Sequence, residues 1–294
     1  ASINWAGFEN ESKDPTVMVE ILTKLAKNDS ELAYIGYGPL VWCERWNDQG
    51  WFDTATSTLI NYRGWPVHHA IECFGQVGAV YNMMFNRDDM IHSAVNFQGC
   101  GLPWEIKQQI AKEVWGSETA IDQNKNYTPM NEYKAKFCWW SIVTDVLHDC
   151  LTLCNWVWPM TMSPSKSRDY RGDLDLEAKF YTAVTSEEMT RDELYKRAAS
   201  VMTLQRANTV RGMGTNDMRN EHDTITEWVF TKDPEIQPFT AGTDKMERED
   251  FQTALGMVYK EFGWDEQKGC PTAACLDDYG MADVKDELQS LGLL

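Results

Sequence analysis

Pro129 to Cys154 reads PMNEYKAKFCWWSIVTDVLHDCLTLC, and this stretch decides the fold class. Trp139, Val143, Leu147, Cys150 and Cys154 recur at spacings of four, four, three and four residues, the period of one helix face. Nothing in the segment alternates apolar and polar as a half-buried strand would. The spacing predicts a central core helix.

Working outward, the same signals recur. Asp14-Pro15 reads as an N-cap with proline at the first helical position, and Met18, Ile21, Leu22 and Leu25 share a face, so a helix is expected over 15–28. After GCGLP, a helix should run from Trp104 to Trp115 and end before Gly116. Thr190-Arg-Asp-Glu193 has the form of a capping box, and Leu194, Ala198, Val201 and Leu204 continue the apolar face until Gly212, which is expected to stop the helix. Phe251, Leu255, Val258 and Phe262, with Gly263 behind them, predict a helix over 246–262, and a shorter one is expected over 282–290. From Tyr34 to Pro66 the chain is irregular, with glycines and prolines between Trp42, Trp46, Trp51 and Trp65. SPSKSRDYRGD, Ser163 to Asp173, reads as a surface excursion that stays attached to one body. No hairpin pattern and no repeat of 20–50 residues is visible. The expected fold is mainly α, divided into a loop-rich, Trp-rich part over 1–98 and a helical part over 99–294.

Composition narrows the function. At 294 residues, 43% hydrophobic and 24% charged, the chain suits a soluble globular protein. Its net charge of −18 repels phosphate backbones and anionic lipid, so neither nucleic acid nor membrane is an expected partner. There is no long apolar run and no signal-peptide pattern in ASINWAGFENESKDP, so a cytoplasmic location is expected. The eight cysteines include no Cys-x-x-Cys, and Cys150/Cys154 and Cys270/Cys275 lack a second pair at metal-site spacing. Reduced, buried thiols and no metal site held by this chain alone are expected. Thirteen Trp suggest aromatic layers or a large cavity, with Trp139 and Trp140 among the candidates to line it.

Few residues could carry chemistry. His69 and Glu72, three apart in WPVHHAIECFG, would share a helix face suited to acid/base work or a metal, or form a packed and capped helix start. His92 could orient a substrate beside the Arg87, Asp88, Asp89 cluster, or sit on a solvated turn. His222-Asp223 could be a catalytic pair, or Asp223 could cap the following TITEW. In HDCLTLC, Asp149 and Cys154 would project a charged acceptor and a soft sulfur from the end of an apolar helix into a dry environment. A ligand with N–H donors, such as a pterin, would satisfy that carboxylate, as would backbone or water.

Asp149 to Cys154, with its Asp-x-x-x-Leu-Cys pattern, resembles the pterin-contacting motif of the tungsten-containing aldehyde:ferredoxin oxidoreductases. Three further stretches resemble that family in the same order: Gly99–Gly116, Leu204–Trp228 and Gly263–Met281. The resemblance covers roughly the C-terminal two thirds of the chain. It implies multi-helical C-terminal domains without the family's N-terminal β-rich domain, which carries the [4Fe–4S] cysteines and part of the bis-pterin site. A missing N-terminal domain or subunit is therefore an expected partner, and this chain alone is expected to be inactive.

By the same resemblance Asp149 hydrogen-bonds a tungstopterin or molybdopterin, Leu153 presents backbone to it, and Cys154 lies between pterin and cluster. Thr152 stands where the family usually has glycine, and NDQGWFDT, Asn47 to Thr54, is at best a degenerate second motif. His69, Glu72 and His92 are the candidates by residue type for the carboxylate and histidine that handle the substrate proton. The implied reaction is anaerobic oxidation of a small aldehyde to a carboxylic acid, with electrons leaving through the cluster to a ferredoxin-like acceptor. A benzoyl-CoA-reductase-type tungstoenzyme subunit, a metal-free helical carbohydrate-binding protein and a non-catalytic interaction subunit are the alternatives.

Overall fold

The computed structural model describes residues 16, 17, 19, 20, 22, 23, 75–84, 101–123, 128–154, 162, 163, 165–225, 230 and 247–294. Among them the helices in chain order are α1 (Gly75–Met84), α2 (Trp104–Trp115), α3 (Glu132–Leu151), α4 (Leu176–Thr185), α5 (Arg191–Met213), α6 (Met218–Glu221), α7 (Arg248–Phe262), α8 (Ala273–Asp278) and α9 (Ala282–Ser290). No strand occurs among the described residues; pairing is confined to the isolated antiparallel bridges Met162/Arg171 and Trp264/Pro271. The mainly helical expectation holds.

The stretch that decides the fold forms a 20-residue helix through the core. Asn131 caps α3 by accepting from the Tyr133 and Lys134 backbone N–H groups, both at 2.9 Å. Twenty residues give a rod of roughly 30 Å, against which α1, α2, α5 and α7 pack. Phe137, Cys138, Ile142, Val143 and Val146 are buried there with Val80 and Tyr81 of α1 and Leu255 and Val258 of α7. Near its start the buried Lys134 is neutralised by Asp122 at 2.6 Å and also donates to the Thr128 carbonyl, which is what makes a core lysine tolerable.

Local signals set most boundaries. Thr190 and Glu193 form the reciprocal capping box at the start of α5. Gly212 does not end that helix; the chain stays helical to Met213, and Gly214, at φ 67°, turns left-handed and bonds back to the Val210 carbonyl at 3.0 Å. A glycine permits a helix end without imposing one, and the left-handed position belongs to the residue whose N–H reaches the last free carbonyls. Gly263 ends α7 as expected, and α9 coincides with the expected 282–290. A second, smaller apolar cluster joins the end of α5 to α8 and α9 through Val210, Met218, Leu276 and Leu288.

Some expectations change. Thr16, Val17, Val19, Glu20, Leu22 and Thr23 are helical, but Leu22, assigned to the apolar face, is 57% exposed. The Ser163–Asp173 excursion stays on the body as expected, through the Met162/Arg171 bridge and a fork of hydrogen bonds from Arg171 to Glu113 of α2 at 2.7 and 2.8 Å. The boundary between 98 and 99 and the Trp-rich segment from Tyr34 to Pro66 lie outside the described residues.

Candidate functional site

The C-terminal turn of α3 carries the motif. The Leu153 N–H donates to the His148 carbonyl at 2.8 Å and the Thr152 N–H to the Asp149 carbonyl at 3.3 Å, which together make a Schellman closure. Its left-handed position is held by Thr152, at φ 57°. A β-branched residue there crowds its own backbone, where a glycine would not. Both N–H groups are spent inside the turn, so the backbone that Leu153 can present to a ligand is its carbonyl. The expectation of a dry setting is corrected: Asp149, Cys150 and Cys154 are exposed. Partial burial and the neighbouring Asp149 charge push the Cys150 thiol up, so it is a protonated thiol at neutral pH. Cys138, Cys270 and Cys275 are buried and free, as reduced core thiols should be.

Behind this turn runs a feature that apolar periodicity does not reveal. Ser141, Thr144, Asp145 and His148, at spacings of three, one and three, form a polar stripe buried along one face of α3. Ser141 and Thr144 return their hydroxyls to the carbonyls of Phe137 and Trp140 at 2.8 and 2.7 Å. Asp145 accepts from the Tyr81 hydroxyl of α1, and His148 Nε2 lies 3.1 Å from Glu177 Oε1 on α4. The other Glu177 oxygen is buried without a hydrogen-bond partner among the described residues. Four polar residues at helical spacing inside an otherwise apolar run are visible in the sequence, and that was the signal available for Asp145 and His148.

A second buried network accounts for His222-Asp223. Arg206 of α5 grips Asp223 with two hydrogen bonds at 3.0 and 2.7 Å, His222 Nδ1 lies 2.7 Å from Oδ1, and the Tyr259 hydroxyl of α7 donates to Oδ2 at 2.5 Å. Burial pushes the Asp223 carboxyl up, but the Arg206 charge and the hydrogen bonds from His222 and Arg206 more than offset it and hold its pKa below the ordinary value. The capping role expected of Asp223 is overturned: the Thr224 N–H bonds to the His222 carbonyl at 2.9 Å, and the carboxylate points into the core. With every face of the carboxylate engaged, the pair ties α5 to α7 and does not face a ligand.

His69, Glu72 and His92 lie outside the described residues, as does Asn47–Thr54. Among the described residues no three His, Cys, Asp or Glu side chains gather as a metal-binding group, and no helix is long and apolar enough to cross a membrane. Asp149, Thr152, Leu153 and Cys154 are brought together on one exposed turn, with the His148 and Glu177 pair directly beneath.

Comparison with known protein families matches the chain to aldehyde ferredoxin oxidoreductase, domains 2 & 3, over residues 3–281. The match reaches well into the N-terminal third that motif resemblance left uncovered, and it describes nearly the whole chain. The chain belongs to the aldehyde ferredoxin oxidoreductase family, of which it carries domains 2 and 3.

Proposed function

We propose that this chain is the helical part of a tungsten or molybdenum pterin oxidoreductase that converts a small aldehyde to a carboxylic acid, with electrons passing through a [4Fe–4S] cluster to a ferredoxin-like acceptor. The observation that carries this reading is the exposed Asp149 carboxylate at the left-handed end of α3, in a chain whose family membership is shown.

The residues present fit a pterin. Its ring edge is rich in N–H donors, and the turn offers acceptors: the Asp149 carboxylate, the Thr152 hydroxyl and the Leu153 carbonyl. Backbone N–H groups, which would compete as donors, are already used within the turn. Asp149 would fix the ring, Thr152 and Leu153 would bound its edge, and Cys154 would lie against it on the side of electron exit. The bound cofactor supplies the two-electron redox chemistry. The protein's own task is to orient the aldehyde, exclude competing water and handle the protons released. His69, Glu72 and His92 are the proposed proton-handling residues. Half of the cradle belongs to a partner domain or subunit, so the isolated chain is proposed to lack activity.

The test is the tungsten, molybdenum and iron content of the protein purified anaerobically with its native partners. About one tungsten or molybdenum and about four irons per polypeptide are expected. Native protein free of both metals would contradict the reading.

A further inference from the structure

His148 stands where the buried stripe meets the exposed turn, and it serves both. Its backbone carbonyl accepts the Leu153 N–H at 2.8 Å, the bond that closes the left-handed end of α3. Its ring Nε2 lies 3.1 Å from Glu177 Oε1 on α4. The two side chains are 1% and 2% exposed, so that contact is sealed from water, where a hydrogen bond is stronger and its geometry firmer. Asp149 is the next residue in the chain, and the direction of its carboxylate follows from how firmly His148 is held.

The surroundings suit this task. α4 packs mainly on α5, and Ala178, beside Glu177, belongs to the main core, so Glu177 is presented from a fixed base. The stripe is anchored further back as well, where Asp145, three residues before His148, accepts from Tyr81 of α1. Glu177 is a poor device for stability alone. Its Oε2 is buried without a partner among the described residues, whereas both oxygens of Asp223 are engaged. A buried acid with one oxygen unmet stabilises a fold no better than an apolar side chain of similar length. What the acid adds is direction, because it meets one ring nitrogen in one orientation.

We propose that His148 and Glu177 are positioning residues that lock the α3 C-terminal turn in the form that presents Asp149, Thr152 and Leu153 to the cofactor. They act through the turn, as a second layer of hydrogen bonds that keeps the contacting groups in place. The inference rests on the pterin reading for what the turn holds, and on the geometry alone for how the turn is held.

The experiment follows hydrogen exchange at the Thr152 and Leu153 amides, and the rate of pterin loss on dialysis, in the assembled protein purified anaerobically with its native partners. Glu177→Met removes the acceptor at similar length, Glu177→Asp keeps the acid but draws it back from the ring, and Glu177→Gln leaves an acceptor in place. The first two are expected to speed turn exchange and pterin loss by about tenfold, and Glu177→Gln by less than about threefold. Asp223→Asn weakens the other buried network and is the control, expected to lower the melting temperature without moving either readout at the turn. Turn exchange unchanged in both Glu177→Met and Glu177→Asp would overturn the proposal. So would unchanged pterin loss from those variants when the wild type is loaded, or an Asp223→Asn effect at the turn as large as theirs. Wild-type protein without pterin would instead overturn the redox reading, and turn exchange would then decide whether the pair holds the turn.

Discussion

Two buried polar networks lie within the same core and are built differently. Around Asp223 every lone pair is engaged: Arg206 on both oxygens, His222 on one, Tyr259 on the other, with the guanidinium stacked 4.7 Å from the Trp264 ring. Along α3, Asp145, His148 and Glu177 are also buried, yet one Glu177 oxygen is left over and the stripe ends at an exposed turn. A carboxylate engaged on both oxygens from α5 and α7 holds those helices together. A network that ends on an exposed turn with capacity unspent is suited to support a site, and it is the second that lies under Asp149.

The contrast sets the order of expected effects. Asp223→Ala leaves Arg206 charged and buried, 2% exposed, and should cost about 3–5 kcal/mol in chemical denaturation; a loss under about 1 kcal/mol would show that the network is not closed. Glu177→Gln keeps an acceptor for His148 and should cost about 1 kcal/mol or less by the same measurement. A cost as large as that of Asp223→Ala would make the two networks equivalent and remove the distinction.

The acid limb of stability sharpens the same comparison. Asp223 has its folded pKa lowered from 3.8, so its contribution is fully present above that value and is lost as pH falls below it toward the folded pKa. Asp223→Asn should therefore flatten the acid dependence of the melting temperature below about pH 4. An unchanged acid limb would mean that other carboxylates dominate there. The smallest effect belongs to the turn: Thr152→Gly relieves a left-handed threonine and should raise stability by about 0.5–1 kcal/mol, whereas a loss would mean that the Thr152 side chain makes a contact that outweighs its strain.

What the sequence reveals of this fold depends on the range of each interaction. The Thr190/Glu193 capping box, the Trp104–Trp115 helix and the end of α7 at Gly263 are local, and composition and spacing reveal them. The buried stripe was equally local, but a search guided by apolar residues passes over Ser141, Thr144, Asp145 and His148, which share a face for polar reasons. Asp223 was different in kind. Its partners Arg206 and Tyr259 lie 17 and 36 residues away in the chain, and adjacency to Thr224 suggested a cap that tertiary packing overrides. The exposure of Asp149 and Cys154 is likewise a tertiary property, which no pattern within HDCLTLC encodes. Their assignment to a pterin comes from family resemblance, with the turn's acceptor-rich chemistry agreeing.

The central claim is that Asp149 on the α3 turn holds the cofactor and does not hold the fold. Asp149→Asn, purified anaerobically with its native partners, tests it through the pterin released on acid oxidation and the tungsten or molybdenum retained, alongside the melting temperature of the apoprotein. The account predicts pterin and metal content reduced about fivefold or more with that melting temperature unchanged. Full cofactor content in the variant would contradict it.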